Sequence, residues 1–260
     1  MMKAIVRALC LVLSLAAVLC GCSSENKASA EAVAELDSAI KATNGSDSAK
    51  GSYVLEITFG ESSVLYYAKG DIEFDRAQKK AYADFDQTWL GSAVSVQNYY
   101  SNGRMTSVTN GEPLELERDE NELFSKFPYS MLLPLEEDAS IVLGNNSFGK
   151  TFSLARTDTS QICETVVGDI YSLVSVIKKP QRDKTKYSDA SVIYTVSEGK
   201  VVSCRYEFTA VLFDTPAYVP GYQPPESEYT VEVKVSAKVS YSEFGESVSV
   251  PDYSAPEESK

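Results

Sequence analysis

The sequence predicts a mainly β (α+β) protein, a single curved antiparallel sheet with helices covering its concave face. Three observations predict it. Long stretches alternate apolar and polar residues, which buries one face of a sheet and wets the other. Turn signals such as Asn102-Gly103 and Glu198-Gly199 join neighbouring stretches, as antiparallel hairpins require. Only a few segments show the three-and-four spacing of an amphipathic helix, and an apolar sheet face of this size needs a cover.

The elements follow in order. Ala30 to Thr43 is rich in Ala, Glu, Lys and Asp, with Val33, Leu36 and Ile40 on one side, and Asn44-Gly45-Ser46 ends this helix. The period then changes to two. Tyr53, Leu55, Ile57 and Phe59 share a face, as do Val64, Tyr66, Ala68, Gly70, Ile72 and Phe74. Ala81, Ala83, Phe85 and Trp89 form the next apolar face, opposed by Lys80, Asp84 and Asp86. Strands 94–101 and 104–109 flank the Asn102-Gly103 turn. Alternation breaks over 117–133, where Asp119 and Glu120 open a helix with Leu123, Phe124 and Phe127 on its apolar side, limited by Pro128 and Pro134. Phe148 to Arg156 is a strand. Thr159 to Lys178 is predicted as one long helix, with Ile162, Val166, Ile170, Leu173 and Ile177 as its stripe. Strands 191–197 and 201–213 follow, then a proline-rich loop over 214–227. The clearest strand runs from Tyr229 to Tyr241, with seven alternate apolar positions.

The first residues carry an address. Lys3 and Arg7 precede an apolar stretch from Ala8 to Leu19, too short to span a bilayer comfortably and followed by small residues, as in a signal peptide. The run Leu19-Cys20-Gly21-Cys22-Ser23-Ser24 resembles the bacterial lipobox. That resemblance implies diacylglyceryl transfer to the Cys22 sulfur and cleavage before Cys22. The chain then divides into a signal peptide (1–21), a tether (22–30), one domain (31–252) and a polar tail (253–260). The expected location is the extracytoplasmic face of the cell membrane, reached through the lipid anchor.

Loss of residues 1–21 leaves 239 of 260 residues and, with Lys3 and Arg7 gone, moves the net charge from −13 to −15. So acidic a body argues against nucleic acid and against anionic lipid surfaces as electrostatic partners. Histidine is absent from the chain, which removes Ser–His and Cys–His nucleophile pairs and His-ligated zinc. No catalytic residue, metal site or cofactor is expected. Cys163 and Cys204 remain in the body. In an oxidising exterior they form a disulfide, or else serve as two buried thiols.

Several features together resemble the LolA/LppX-type lipoprotein superfamily. They are the lipobox at Cys22, the helix 30–43 leading into Tyr53-Val54-Leu55-Glu56, the Ser101-Asn102-Gly103-Arg104 hairpin, and a closing strand from Tyr241-Ser242-Glu243-Phe244 to Val250-Pro251. The resemblance covers about residues 30–252. It implies an unclosed β half-barrel and an apolar cavity for acyl chains or a similar ligand. No binding motif of that family can be placed on individual residues.

Gly144-Asn145-Asn146-Ser147-Phe148-Gly149-Lys150-Thr151 satisfies the P-loop spacing. A phosphate cradle needs a helix beginning at the lysine. Phe152-Ser153-Leu154-Ala155-Arg156 alternates like a strand instead, so the segment is read as a turn between strands. Asp84 and Asp86 read as a solvated face, and Glu136-Glu137-Asp138 lacks the spacing of a calcium loop. Aromatic residues are more informative. Phe85, Trp89, Tyr206 and Phe208 are the candidate ligand-binding positions. The expected function is non-enzymatic binding of a lipid or other apolar ligand in the half-barrel. The alternatives are a surface module binding protein or cell-wall polymer, and a carboxylate-dependent hydrolase.

Overall fold

The computed structural model describes residues 30–60, 63–89, 91–126, 128–129, 132–135, 140–174, 176–216, 225, 229–245 and 248–254. The signal segment, Cys22, Phe127 and Glu136-Glu137-Asp138 lie outside the described residues. Among the described residues, no helix is long and apolar enough to cross a membrane.

The chain opens with helix α1 (Ala30–Asn44) and then forms β1 (Ser48–Phe59), β2 (Ser63–Asp75), β3 (Lys80–Trp89), β4 (Ser92–Ser101), β5 (Arg104–Thr109) and β6 (Glu112–Glu117). Helix α2 (Glu120–Phe124) leads toward β7 (Ile141–Asn146) and β8 (Gly149–Ala155). Helices α3 (Thr159–Val166) and α4 (Ile170–Leu173) and a short 3₁₀ turn (Arg182–Lys184) precede β9 (Lys186–Ser197), β10 (Lys200–Phe213) and β11 (Thr230–Phe244).

All eleven strands lie in one antiparallel sheet, ordered β6-β5-β4-β3-β2-β1-β11-β10-β9-β8-β7. It comprises two meanders joined where the first strand meets the last, from Ala49 opposite Phe244 to Phe59 opposite Val233. Among the described residues nothing pairs with the outer edges of β6 and β7, so the sheet is an unclosed half-barrel. The expected fold class is therefore the observed one.

Turn chemistry explains the hairpins. Asn102-Gly103 and Glu198-Gly199 have positive φ at both central residues, which matches the right-handed twist of the strands they join. Asn110-Gly111 does the same between β5 and β6. At the P-loop look-alike, Asn146 Oδ1 accepts the Phe148 and Gly149 N–H groups, and β8 follows directly. The segment is a turn between strands, and its amides are already engaged.

The expected helix over 159–178 is corrected. Gly168 has φ 72°, which ends α3, and the chain restarts at Asp169, whose carboxylate accepts the Tyr171 N–H and caps α4. Helix α2 is also shorter than expected, five residues capped by Asp119. Strand β9 begins at Lys186, earlier than alternation suggested, β6 is an added edge strand, and β7 is the strand expected ahead of the Gly144–Thr151 turn.

Inward residues line up across the first meander. One row is Ala49, Phe74, Ala81, Tyr100 and Met105, and the next is Gly51, Ile72, Ala83, Asn98 and Ser107. The third is Tyr53, Gly70, Phe85 and Val96, followed by Leu55, Ala68 and Gln87. The row through Tyr53 continues into the second meander as Val239, Cys204, Tyr194 and Phe152.

Two kinds of filling follow. In the second meander Tyr194, Tyr206, Phe152 and Leu154 are large and buried, with α1 packed on β10 and α3 on β9. Their hydroxyls are satisfied: Tyr206 Oη accepts the Leu133 N–H at 3.3 Å, and Tyr194 Oη donates to the Leu133 carbonyl at 3.4 Å. Arg156, itself buried, donates to the Pro134 carbonyl at 2.7 Å. In the first meander, Ala68, Gly70 and Ala83 leave the face shallow.

Cys163 and Cys204 are free buried thiols, the second of the two alternatives, and no disulfide joins them. Cys163 lies beside Tyr187, which stands opposite Ala210. Ala210 is six residues along β10 from Cys204, roughly 20 Å at strand rise. A disulfide needs α-carbons within about 7 Å. Burial pushes the Cys163 thiol up to about 11 and that of Cys204 higher still, so neither is a ready nucleophile.

Two tests follow from the packing. A Cβ at Gly70 would lie 2.1 Å from the Asp84 carbonyl oxygen and 2.6 Å from Phe85 Cα. Gly70→Ala is expected to lower the urea midpoint by the equivalent of about 1–3 kcal/mol. Maleimide should modify Cys163 and Cys204 only after denaturation and without prior reduction. A linked Cys163–Cys204 peptide in mass mapping would contradict the structure.

Candidate functional site

The shallow half of the concave face holds a cavity of about 390 Å³. Its floor is Ala68 and Ala83, small residues on paired strands. Its walls are Tyr53, Leu55, Tyr66, Phe85 and Met105, and the Tyr53 and Phe85 rings meet at 5.9 Å. Gly70 stands between those two strands in the same row, so no side chain separates the rings.

The roof comes from two places. Leu123, Pro128 and Tyr129 cover the end near Met105, and Val166, Val167 and Leu173 cover the other. Arg76 fixes the first cover. Its guanidinium donates to the Asn44, Ser46 and Tyr129 carbonyls and lies over the Phe74 ring at 4.7 Å. The second cover rests on Tyr171, whose hydroxyl accepts the Phe213 N–H and bonds Thr185 Oγ1 at 2.7 Å.

Trp89 ends β3 at the rim, 45% exposed, and its indole N–H donates to the Leu173 carbonyl at 3.0 Å. It clasps sheet to cover. Phe85 lines the cavity wall. Tyr206 and Phe208 face inward but are packed in the second meander, Tyr206 under Leu133 and Phe208 against Tyr187 with ring centroids 6.4 Å apart. The structure thus brings Phe85 and Trp89 to the cavity and its rim, and sets Tyr206 and Phe208 apart from it.

Sequence reasoning missed the polar members. Asn98 on β4 lines the cavity, and its buried Oδ1 has no hydrogen-bond partner. Arg118, Glu122 and Lys126 border the Met105 end. The alternation of small residues at 68, 70 and 83 was the available signal for an unfilled face.

The outer face carries a larger groove of about 630 Å³, with hydroxyls and cations such as Ser203, Ser240, Arg205 and Lys238 along it and Phe148 at its side. Asp84 and Asp86 also face outward. Asp84 accepts from Tyr82 and Gln97, and Asp86 from Ser95, so both are tied to neighbours on the sheet surface.

The cover depends on carboxylates. The Gln161 N–H and the Ser160 hydroxyl hold Asp158 below the usual carboxylate range. The Arg182 side chain does so for Asp169. At Asp214 burial works the other way, but the N–H groups of Lys178, Lys179 and Thr215 outweigh it.

No protein-family model matches the sequence, and no curated protein does. Among solved structures the chain is similar to lipoprotein LppX from Mycobacterium tuberculosis, with 12% identity and a TM-score of 0.40 over 86% of this chain and 100% of that one. It is similar to LprF from Mycobacterium bovis, with 16% identity and a TM-score of 0.34 over 87% and 99% of the two chains. A LolA superfamily protein from Nitrosomonas europaea aligns over 85% of this chain and 94% of its own, with 8% identity and a TM-score of 0.26.

Each of Asp158, Asp169 and Asp214 is lowered in the folded state, so its stabilisation is full above about pH 4 and lost as pH falls through the lower folded value. Amide protection over 158–182 is expected to drop relative to β1, β10 and β11 as pH falls from about 5 to about 3. Uniform loss across sheet and cover would contradict this.

Proposed function

We propose that this chain is a non-enzymatic, lipid-anchored extracytoplasmic protein that binds an apolar ligand in the concave-face cavity. The observation that carries the proposal is the cavity itself. It is concave, walled mainly by apolar and aromatic side chains with a few polar groups, and its volume of about 390 Å³ falls within the roughly 300–1,000 Å³ range of small-molecule sites. The neighbouring half of the same face is filled with large side chains, so the cleft is local and built by small residues.

The anchor gives the cavity its setting. Acylation of Cys22 would hold the chain without a spanning helix. Cys22 stands eight residues before Ala30, where α1 begins. Eight extended residues reach at most about 29 Å, so the domain would stay close to the membrane surface. An apolar ligand partitions to that surface and is scarce in bulk water.

Ala83→Leu tests the reading by filling the cavity floor. The full chain is expected to carry a one-to-one apolar adduct in native mass spectrometry, additional to the acyl groups on Cys22. The Ala83→Leu chain should lose that adduct while its melting temperature holds or rises. Equal adduct in both chains, or none in the parent, would overturn the proposal.

A further inference from the structure

An apolar ligand alone leaves three features of the cavity without a use. The first is its size. At about 390 Å³ it lies near the lower end of the roughly 300–1,000 Å³ range of small-molecule sites, which suits one hydrocarbon chain rather than several.

The second feature is charge at one end. The Arg118 N–H bonds the Gly103 carbonyl at 3.0 Å, which sets Arg118 beside the start of β5 at the Met105 end. Lys126 borders the same end, just beyond α2. Among the described residues neither cation is in an ion pair, although Glu122 lies between them in sequence and also borders the cavity. Glu117 and Asp119 flank Arg118 in the chain, but the cavity lining itself carries two cations and one acid, unlike a chain of net charge −13 as a whole. Arg118 and Lys126 are the positive groups that an anion at this mouth would meet.

The third feature is Asn98. Its row lies one step inward from the Met105 row, two residues or roughly 7 Å along the strand. A buried carbonyl oxygen without a donor is costly unless a ligand or a water supplies one. The order along the cavity is therefore cations at the mouth, an acceptor one row in, and apolar walls beyond.

We infer that the ligand is a single-chain anionic amphiphile with a hydroxyl between its headgroup and its hydrocarbon chain. The inference rests on the proposal that this cavity binds an apolar ligand. The anion meets Arg118 and Lys126, the hydroxyl donates to Asn98 Oδ1, and the chain lies over Ala83 and Ala68 between Tyr53, Phe85 and Tyr66. A lysophospholipid and a β-hydroxy fatty acid share this chemistry.

The test uses the full chain in phosphatidylcholine nanodiscs, with native mass spectrometry counting bound probe. Lysophosphatidylglycerol and β-hydroxypalmitate are the two hydroxylated anions. Monopalmitoylglycerol keeps the hydroxyl without the charge, and hexadecyl phosphate keeps the charge without the hydroxyl. At least one hydroxylated anion should bind one-to-one and about tenfold or more tighter than either control, and which of the two binds identifies the source. Arg118→Glu with Lys126→Glu should abolish that advantage and leave monopalmitoylglycerol unchanged. Asn98→Leu should erase the gain over hexadecyl phosphate alone. Equal binding of all four probes, unaffected by these variants, would overturn the headgroup assignment while the apolar-ligand proposal stands. If no probe binds, and Ala83→Leu alters nothing, the proposal itself fails with it.

Discussion

Everything in this fold depends on the pairing of β1 with β11. Each meander is local, built from hairpins whose turns are encoded within a few residues. The seam between them is not. Ala49 meets Phe244 and Phe59 meets Val233, so residues near the two ends of the domain share one ladder. Without that ladder the sheet would be two smaller ones, each with an apolar face and one more exposed edge. The seam also sets the register of the interior. Tyr53 lies opposite Val239, which aligns the Phe85 row of one meander with the Cys204 and Tyr194 row of the other. Pairing over so long a sequence separation carries a large loop-closure cost, which points to slow formation relative to the hairpins.

The two halves of the concave face then meet the same packing constraint differently. Beside the seam on the β10 side, Tyr206 and Tyr194 are fully buried, and their hydroxyls need partners. Leu133 supplies both a donor and an acceptor, which fixes the 132–135 segment over the core. Leu36 and Ile40 of α1 complete that filling. On the β2 side Gly70, Ala68 and Ala83 bring nothing large to the same rows. The cover there is carried from its ends, by Arg76 on one side and Tyr171 on the other, and spans the shallow rows without filling them.

Periodicity and turn chemistry made the fold legible. The long strands, the leading helix and the Asn102-Gly103 and Glu198-Gly199 turns are read correctly because each is a local preference that the tertiary structure does not oppose. Asn110-Gly111 is the same dipeptide signal and marks the β5–β6 hairpin, yet Glu112–Glu117 is almost entirely exposed and offers no apolar face to read. The helix over 159–178 failed at Gly168. An apolar stripe continues across that glycine, but its left-handed backbone cannot. The cavity was harder still, because it is made by what is missing from Ala68, Gly70 and Ala83. Phe85 and Trp89 were visible as aromatics. Asn98 was not, since its meaning lies in a hydrogen bond that no neighbour supplies.

The way the cover is held bears on how a ligand would enter. Val166, Val167 and Leu173 lie against the cavity, and their segment is held to the sheet by buried apolar side chains, Ile162, Val166, Ile170 and Val174, with polar contacts added near its margins. Trp89 bonds Leu173, Asp169 pairs with Arg182, and Asp214 accepts the N–H groups of Lys178 and Lys179. Such hydrogen bonds each contribute only about 1 kcal/mol net, and exposed ion pairs no more. Gly168 adds a backbone pivot between α3 and α4. Moving α4 would expose the buried Ile170 and Val174 as well as the cavity walls, at about 1.5–3 kcal/mol for each such side chain, so apolar burial outweighs the marginal polar contacts in holding the cover. Both halves of the concave face are thus capped by buried apolar residues, and they differ in how deeply the rows beneath the cap are filled: by tyrosines beside β10, and by alanine and glycine beside β2.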